Sequence, residues 1–388
     1  MKNSWKAAAA AVFVCGWGGN QFTPLLVLYR QSGLSVVTVD ALLGAYVVGL
    51  VPGLLLAGTL SERYGRKPVL ITGTVLGLLA SVLIATHSVG WIAVGRFMTG
   101  LAVATAMAVG STCIMELSVA AGADRGTGAR RGALWLTLGF GLGAGVAGVL
   151  AQWAPYPTAL PYVVHMVLAV VALFYLFRLP ETRTKSAQRG TGLRFAPARH
   201  PRFVRVIMPM APWIFGSAGV AYAIMPQLVG DKVANWGLIY STLLTVCTLG
   251  AGALVQPFAK NLDQATSARA VVFAMVIMSG GLAASAVAAV DRSPVVALIA
   301  AILLGLAYGT AMVSGLMEVQ RLARPHELAA LTGVYYALAY VGFLLPTVLA
   351  LLSGVASYPV LLSCLVLVAL GGTAVIAKNS RYHLPSEV

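Results

Sequence analysis

The chain has 388 residues, of which 59% are hydrophobic and only 10% charged, and its mean hydropathy is +0.87. So much apolar surface exceeds what one soluble core buries, and it excludes a water-soluble globular protein. The formal net charge of +15 does not point to nucleic acid, because the basic residues sit in short clusters between apolar runs and not along one soluble face.

A bilayer crossing takes about 20 apolar residues. Charged residues and Gly/Pro punctuation bound twelve apolar runs of that kind. They lie at 5–29, 39–60, 69–86, 90–115, 132–153, 161–179, 203–228, 235–259, 268–290, 294–318, 328–353 and 357–377. The first run follows Lys2 and Lys6 and continues through Asn20, Gln21 and Pro24 to Tyr29, too long for a signal peptide, so it reads as an uncleaved span. Cys15, Cys113, Cys247 and Cys364 fall singly in separate runs without metal-ligand spacing, and read as small buried hydrophobes. No metal site or cofactor is expected.

Basic residues orient the chain. With a cytoplasmic N-terminus, every Lys and Arg except Arg30, Arg96, Lys232 and Arg292 falls on the inner side, so both termini are expected in the cytoplasm of a cell's inner (plasma) membrane. One long polar stretch, with Arg183, Lys185, Arg189, Arg194 and Arg199, separates a first six-helix bundle (1–180) from a second (203–388) as a cytoplasmic linker (181–202). An internal repeat supports this division. Gly100-Leu101-Ala102 and Thr105-Ala106-Met107 recur as Gly305-Leu306-Ala307 and Thr310-Ala311-Met312, and Met115-Glu116 is echoed by Met317-Glu318. These repeats fall in spans four and ten, which run in the same direction, as in parallel duplicated halves; Gly/Ala-rich helix packing is the other source of such similarity.

The loop between spans two and three reads Gly58-Thr59-Leu60-Ser61-Glu62-Arg63-Tyr64-Gly65-Arg66-Lys67-Pro68. Gly58 suits close helix approach, Gly65 a tight turn, and Glu62 either an ion pair or a helix N-terminus. This loop resembles the signature loop of the Major Facilitator Superfamily, Gly-x-Leu-x-Asp-Arg-x-Gly-Arg-Arg/Lys, with Glu62 in place of the usual Asp. The resemblance implies an all-α membrane fold of two six-helix bundles related by a pseudo-two-fold axis. It also implies a charge relay at the cytoplasmic gate, formed by Gly58, Glu62, Arg63, Gly65 and Arg66. In span four, Arg96 followed by Gly100 is similar to a second family motif, with Thr99 where Gln is usual. An Arg inside the hydrocarbon is costly and reads as a coupling or gating residue, or else as one that snorkels to the outer interface. In span five, Gly139, Gly143, Ala144 and Gly148 are similar to the exporters' antiporter motif, although Ala144 and Ala147 stand where Pro and Gly are expected. Generic Gly-mediated packing accounts for the same spacing. Pro180-Glu181-Thr182 resembles the family's ending of the first half.

Glu116 and Glu318 occupy equivalent inner ends of spans four and ten and are expected in the same cytoplasmic gate. Glu116 is expected to pair with Arg66 or Arg63, and Glu318 with Arg321 or Arg324, unless both are solvated helix ends. Asp40 opens span two as an N-cap or, more sharply, as a proton site; His165 is a hydrogen-bonded core residue or a proton carrier. Asn20 and Gln21 lie in span one, where polar amides need a neighbouring helix or a ligand as partner, and Tyr46, Trp213, Tyr222, Tyr308, Tyr336 and Tyr340 fall near estimated midplanes, where they either pack or line an aromatic, uncharged substrate cavity.

These features lead to an expected function: proton-coupled antiport that exports a small hydrophobic or amphipathic compound, drug or metabolite, by alternating access, with Arg96 and Asp40 in coupling. The expected partners are that substrate, protons and the lipid bilayer, with no nucleic acid, and the fold implies a functional monomer. No phosphate-cradling Gly-x-x-x-x-Gly-Lys-Ser/Thr sequence occurs, which argues against an ATP-driven pump. A proton-coupled nutrient importer is the first alternative. A membrane-embedded enzyme is the second, and it would need clustered His, Cys or carboxylates that the runs do not supply.

Overall fold

Helices make up the computed structural model of the chain, which describes residues 4–182, 196–264, 266–323 and 328–382. In chain order they are α1 (Trp5–Asn20), α2 (Leu26–Gln31), α3 (Val36–Tyr64), α4 (Arg66–Ile84), α5 (Val89–Thr105), α6 (Ser111–Ala120), α7 (Arg125–Trp153) and α8 (Leu160–Phe177). After the linker follow α9 (Met208–Gly219), α10 (Met225–Val229), α11 (Gly237–Ala259), α12 (Arg269–Asp291), α13 (Pro294–Leu322), α14 (Leu328–Val341), α15 (Leu345–Leu352) and α16 (Tyr358–Asn379). A π-helical turn at Ala106–Gly110 joins α5 to α6, so that one helix runs continuously from Val89 to Ala120. Among the described residues there is no strand. The basic linker residues Arg183, Lys185, Arg189 and Arg194, and Arg324 near Glu318, lie outside the described residues.

Among the described residues eleven helices are long and apolar enough to cross a membrane, one fewer than the twelve spans expected. The difference lies in the run at 5–29. Pro24 has no N–H to donate and disfavours a helical residue before it, and the helix stops at Asn20. Beyond it the chain takes short turns, with Thr23 N–H bonded to Asn20 O and Leu25 N–H to Phe22 O, before α2 begins.

The chain divides into two units, Met1–Leu28 with Leu42–Gly192, and Tyr29–Ala41 with Leu193–Val388. In the first, Val12, Cys15, Leu70, Ala102, Cys113, Ile114 and Leu176 form the core. In the second, Val220, Ile224, Leu244, Met278, Leu304 and Leu362 do so. Outward faces are apolar as well: Leu254 is 74% exposed and Leu367 68%. Lipid, unlike water, imposes no cost on such faces. Cys15 and Cys113 are buried as expected, but Cys364 is exposed on this outward surface of α16, where an apolar solvent makes burial unnecessary.

Helix crossings in both units rest on glycine. A Cβ on Gly100 would lie 2.1 Å from Tyr46 O, and one on Gly49 only 2.0 Å from Phe97 O, so α3 and α5 touch backbone to backbone. In the second unit a Cβ on Gly305 would lie 2.4 Å from Thr248 O, which fastens α13 to α11 in the same way. The repeated Gly100 and Gly305 thus do the same mechanical work.

Candidate functional site

The signature loop closes in a single residue. Gly65 alone separates α3 from α4, at φ 103°, a conformation that glycine adopts at little cost. The first N–H groups of α4 have no helical partner and point outward. Glu181 satisfies them: its carboxylate accepts Arg66 N–H at 2.9 Å and Lys67 N–H at 3.1 Å, with negative charge at the positive end of the helix dipole. A Cβ on residue 65 would sit 2.5 Å from the Glu181 carboxylate, so glycine is required here for space as well.

Arg66 then reaches inward to Ser61 Oγ at 2.5 Å and to Glu116 at 3.4 Å, while the other Glu116 oxygen accepts the Thr182 hydroxyl at 2.6 Å. The end of α3, the start of α4, α6 and the segment after α8 are tied by this one cluster. Glu62 and Arg63 are exposed, with the Arg63 guanidinium 5.2 Å from the Tyr64 ring. Gly58 does not serve close helix approach: no heavy atom of the described residues outside its own helix lies within 4 Å of where its Cβ would be.

Arg96 is 1% exposed and so does not reach an interface. Its guanidinium carbon lies 4.6 Å from the Phe22 ring and 4.8 Å from the Tyr46 ring. Nη1 donates to Gly19 O at 3.3 Å and Nε to Leu42 O at 3.4 Å. The break after α1 explains the first of these bonds. In a continuous helix Gly19 O would accept from Thr23 N–H, which instead turns to Asn20 O and leaves Gly19 O to Arg96.

Asn20 is buried at the end of α1, and Gln21 enters a polar chain inside the first unit. Gln21 Nε2 donates to Ser81 Oγ at 3.1 Å, Ser81 Oγ lies 2.7 Å from His165 Nδ1, and His165 Nε2 lies 3.0 Å from Val14 O. A carbonyl only accepts, so Nε2 carries the proton, Nδ1 accepts the serine hydroxyl, and His165 is a fully used core residue. Gly139 and Gly143 press α7 onto α1: a Cβ at either would lie 2.2 Å from Phe13 O or 2.6 Å from Trp17 O. Ala144 and Gly148 are buried farther along α7.

Asp40 and Arg96 fall in different units. Asp40 does not open α3; Ser35 does, by accepting Thr38 N–H at 3.1 Å, because the helix starts at Val36. One turn in, Asp40 is fully buried and its Oδ1 pairs with Arg30 at 2.6 Å. Arg30 also donates to Ala223 O at 3.2 Å, and Thr347 Oγ1 donates to Asp40 O at 2.8 Å.

The second unit has its own charged cluster. Glu318 is gripped in a fork by Arg202, Nε to Oε2 at 2.7 Å and Nη2 to Oε1 at 2.9 Å, with both side chains buried. Arg321 joins Glu318 at 3.2 Å and also pairs with Asp263. Of the aromatic candidates, Tyr340 stacks on Phe215 with ring centres 4.0 Å apart, Tyr308 meets Phe215 at 5.7 Å, and Tyr222 meets Phe343 at 6.2 Å. Tyr336 lies 5.4 Å from Tyr335, while Trp213 packs against the apolar core. The stack forms because Gly342 lets its backbone meet Pro212 O, where a Cβ would be only 2.0 Å away.

Sequence reasoning missed Arg30, Arg202, Asp263, Ser81, Phe22, Phe215 and Phe343. Arg30 and Arg202 were legible only as topological charges, and the remainder carry no local signal.

A family model described as Major Facilitator Superfamily matches residues 8–347. Over 195 residues the chain is 31% identical to the 4-hydroxybenzoate transporter PcaK of Pseudomonas aeruginosa, covering 48% of this chain and 39% of that protein. Over 73 residues it is 36% identical to the multidrug resistance protein MdtL of Klebsiella pneumoniae, covering 19% of each. The chain therefore spans well under half the length of these curated relatives in the matched regions. The xylose transporter XylE from E. coli, solved in a partially occluded inward-open conformation, has a TM-score of 0.73 at 16% identity, covering 96% of both chains. That likeness is one of fold.

Proposed function

The chain belongs to the Major Facilitator Superfamily, and from that premise we propose that it exports a small aromatic or amphipathic compound by proton-coupled antiport with alternating access. It is a multi-pass transporter. We further place it in the plasma membrane as a monomer with both termini cytoplasmic, on the asymmetry of its basic residues.

The observation that carries the coupling is the Arg30–Asp40 pair. Asp40 is fully buried, Oδ1 is held at 2.6 Å by one guanidinium, and Oδ2 has no hydrogen-bond partner among the described residues. A carboxylate taken out of water keeps its charge only while a cation compensates it. Protonation at Oδ2 removes that attraction and frees Arg30, so proton binding favours a conformation in which the pair is apart. The stacked rings of Phe215, Tyr340 and Phe343 suit a planar substrate. The span-five glycines are the basis for export.

A second reading is proton-coupled import, with an aromatic acid as the substrate that the longer curated alignment, to the 4-hydroxybenzoate transporter, suggests. Proteoliposomes separate the two. Antiport accumulates substrate in vesicles with an acid lumen, and symport in vesicles with an alkaline lumen, whichever way the protein inserts. The probes are 4-hydroxybenzoate and a lipophilic aromatic dye, with protein-free liposomes as blanks. Asp40→Asn is expected to lose gradient-driven accumulation and keep substrate exchange. Accumulation of neither probe above the blank, or full accumulation by Asp40→Asn, would overturn the reading.

A further inference from the structure

A cleft of about 720 Å³ lies in the second unit where the start of α12 meets the end of α16. Its lining divides by chemistry. Arg269, Lys378 and Arg381 bring three positive charges to its rim. Val272, Phe273 and Val276 continue from Arg269 along one face of α12, and Phe273 and Val276 are 46% and 54% exposed. The passage from charge to apolar stripe takes seven residues, a rise of about 10 Å. That is comparable to the depth, about 5–10 Å, to which an apolar face at the membrane surface sinks past the headgroups.

The frame of the cleft is built and not incidental. Ala268 N–H bonds to Ser380 through both its carbonyl and its hydroxyl, each at 3.0 Å, which joins the two helix ends directly. The buried Arg202 donates to Ser380 O at 3.1 Å and Tyr382 O at 3.0 Å, so Arg381 sits between two anchored residues. The acids bound to this frame are already engaged, Glu318 by Arg202 and Arg321, and Asp263 by Arg321. Arg269 donates to the carbonyls of Leu262 and Asn261, which leave its charge uncompensated. Among the described residues neither Lys378 nor Arg381 forms an ion pair.

We propose that this cleft binds an anionic phospholipid, its phosphate held by Arg269, Lys378 and Arg381 and the first part of an acyl chain laid on Val272, Phe273 and Val276. The charges select an anionic headgroup over a zwitterionic one. The stripe selects a lipid over a soluble phosphate, which would satisfy the cations and leave the exposed apolar face unused.

The test is titration of the purified, delipidated full chain in detergent, followed by native mass spectrometry. The probes are phosphatidylglycerol, phosphatidylcholine with the same chains, and glycerol 3-phosphate. Phosphatidylglycerol is expected to bind at least tenfold more tightly than either of the others. Each Lys or Arg neutralised near the site is expected to cost about fivefold, so Lys378→Gln with Arg381→Gln should weaken phosphatidylglycerol binding roughly 25-fold. Arg130→Gln with Arg199→Gln removes the same charge elsewhere and should change binding less than twofold. If the neutralised pair does not fold, the charge-keeping pair Lys378→Arg with Arg381→Lys, which should bind like wild type, and the wild-type preference still decide. Equal binding of the two lipids, equal binding of glycerol 3-phosphate, or an equal loss in the control pair would overturn the proposal.

Discussion

Replacing Arg96 with Gln removes charge from the first unit while the fold survives, and the structure supplies the magnitudes. Desolvated contacts to the Phe22 and Tyr46 rings are worth about 1–2 kcal/mol each. The bonds to Gly19 O and Leu42 O are long, at 3.3 and 3.4 Å, so about 1.5 kcal/mol each is appropriate for a charged donor. Against this total of about 5–7 kcal/mol, taking an Arg into the hydrocarbon costs about 2.5–3.5 kcal/mol, which Gln avoids. Gln also keeps one carbonyl bond worth about 1 kcal/mol. The net loss is about 2 kcal/mol, too little to prevent folding. Arg96→Gln should therefore reach the membrane, and, on the coupling role expected of an Arg inside the hydrocarbon, abolish gradient-driven accumulation while retaining exchange at equal substrate concentrations. Arg96→Lys keeps the charge but not the fork that reaches two carbonyls, so it should retain part of the coupling. Accumulation in vesicles under an imposed pH gradient, with surface expression measured in parallel, is the assay. Full gradient-driven accumulation by a normally expressed Arg96→Gln protein would refute the reasoning.

Gly65→Ala combines φ 103° with a Cβ 2.5 Å from the Glu181 carboxylate, and should destabilise by about 2 kcal/mol or more; a melting temperature equal to wild type would contradict the cap assignment. Arg202→Met leaves the buried Glu318 only its 3.2 Å pair with Arg321, at a cost of at most about 3–5 kcal/mol, and the double variant Arg202→Met with Glu318→Leu should recover most of it in a thermal-melt cycle. Asp124 caps α7 through Thr127, and these hydrogen bonds hold its carboxyl below the ordinary range. Because the folded value is depressed, that contribution is present above the unfolded pKa and is lost as pH falls through the folded one. The protection factor at Thr127, its exchange slowed relative to the intrinsic rate at the same pH, should accordingly fall on acidification in wild type and stay level in Asp124→Ala. Cysteine at Thr127 should react with an impermeant thiol reagent only from the cytoplasmic side and cysteine at Thr158 only from outside; reversed sides would refute the orientation.

The sequence by itself determined what local composition controls. Apolar runs end mostly at charges, polar residues or Gly and Pro, so most helix positions followed directly, as did the turn at Gly65, whereas the partners of Glu116 and Glu318 were left open between Arg66 and Arg63 and between Arg321 and Arg324. Pro24 is visible in the sequence, but an interrupted apolar run and a continuous one have the same hydropathy; whether the helix stops depends on what then uses the freed carbonyl. Arg96 is that user, and only packing brings it to Gly19 O. The same limit hid Arg202, which counts as one more basic residue beside the linker until Glu318, more than a hundred positions away, is laid against it. Asp40 could be read as a cap or a proton site; the actual start of α3 at Val36 and the approach of Arg30 removed the first choice. Charge and hydropathy are properties of each residue and survive in one dimension. Compensation of a buried charge is a property of neighbours, and in this chain those neighbours come from helices far apart in sequence, so the tertiary structure alone decides it.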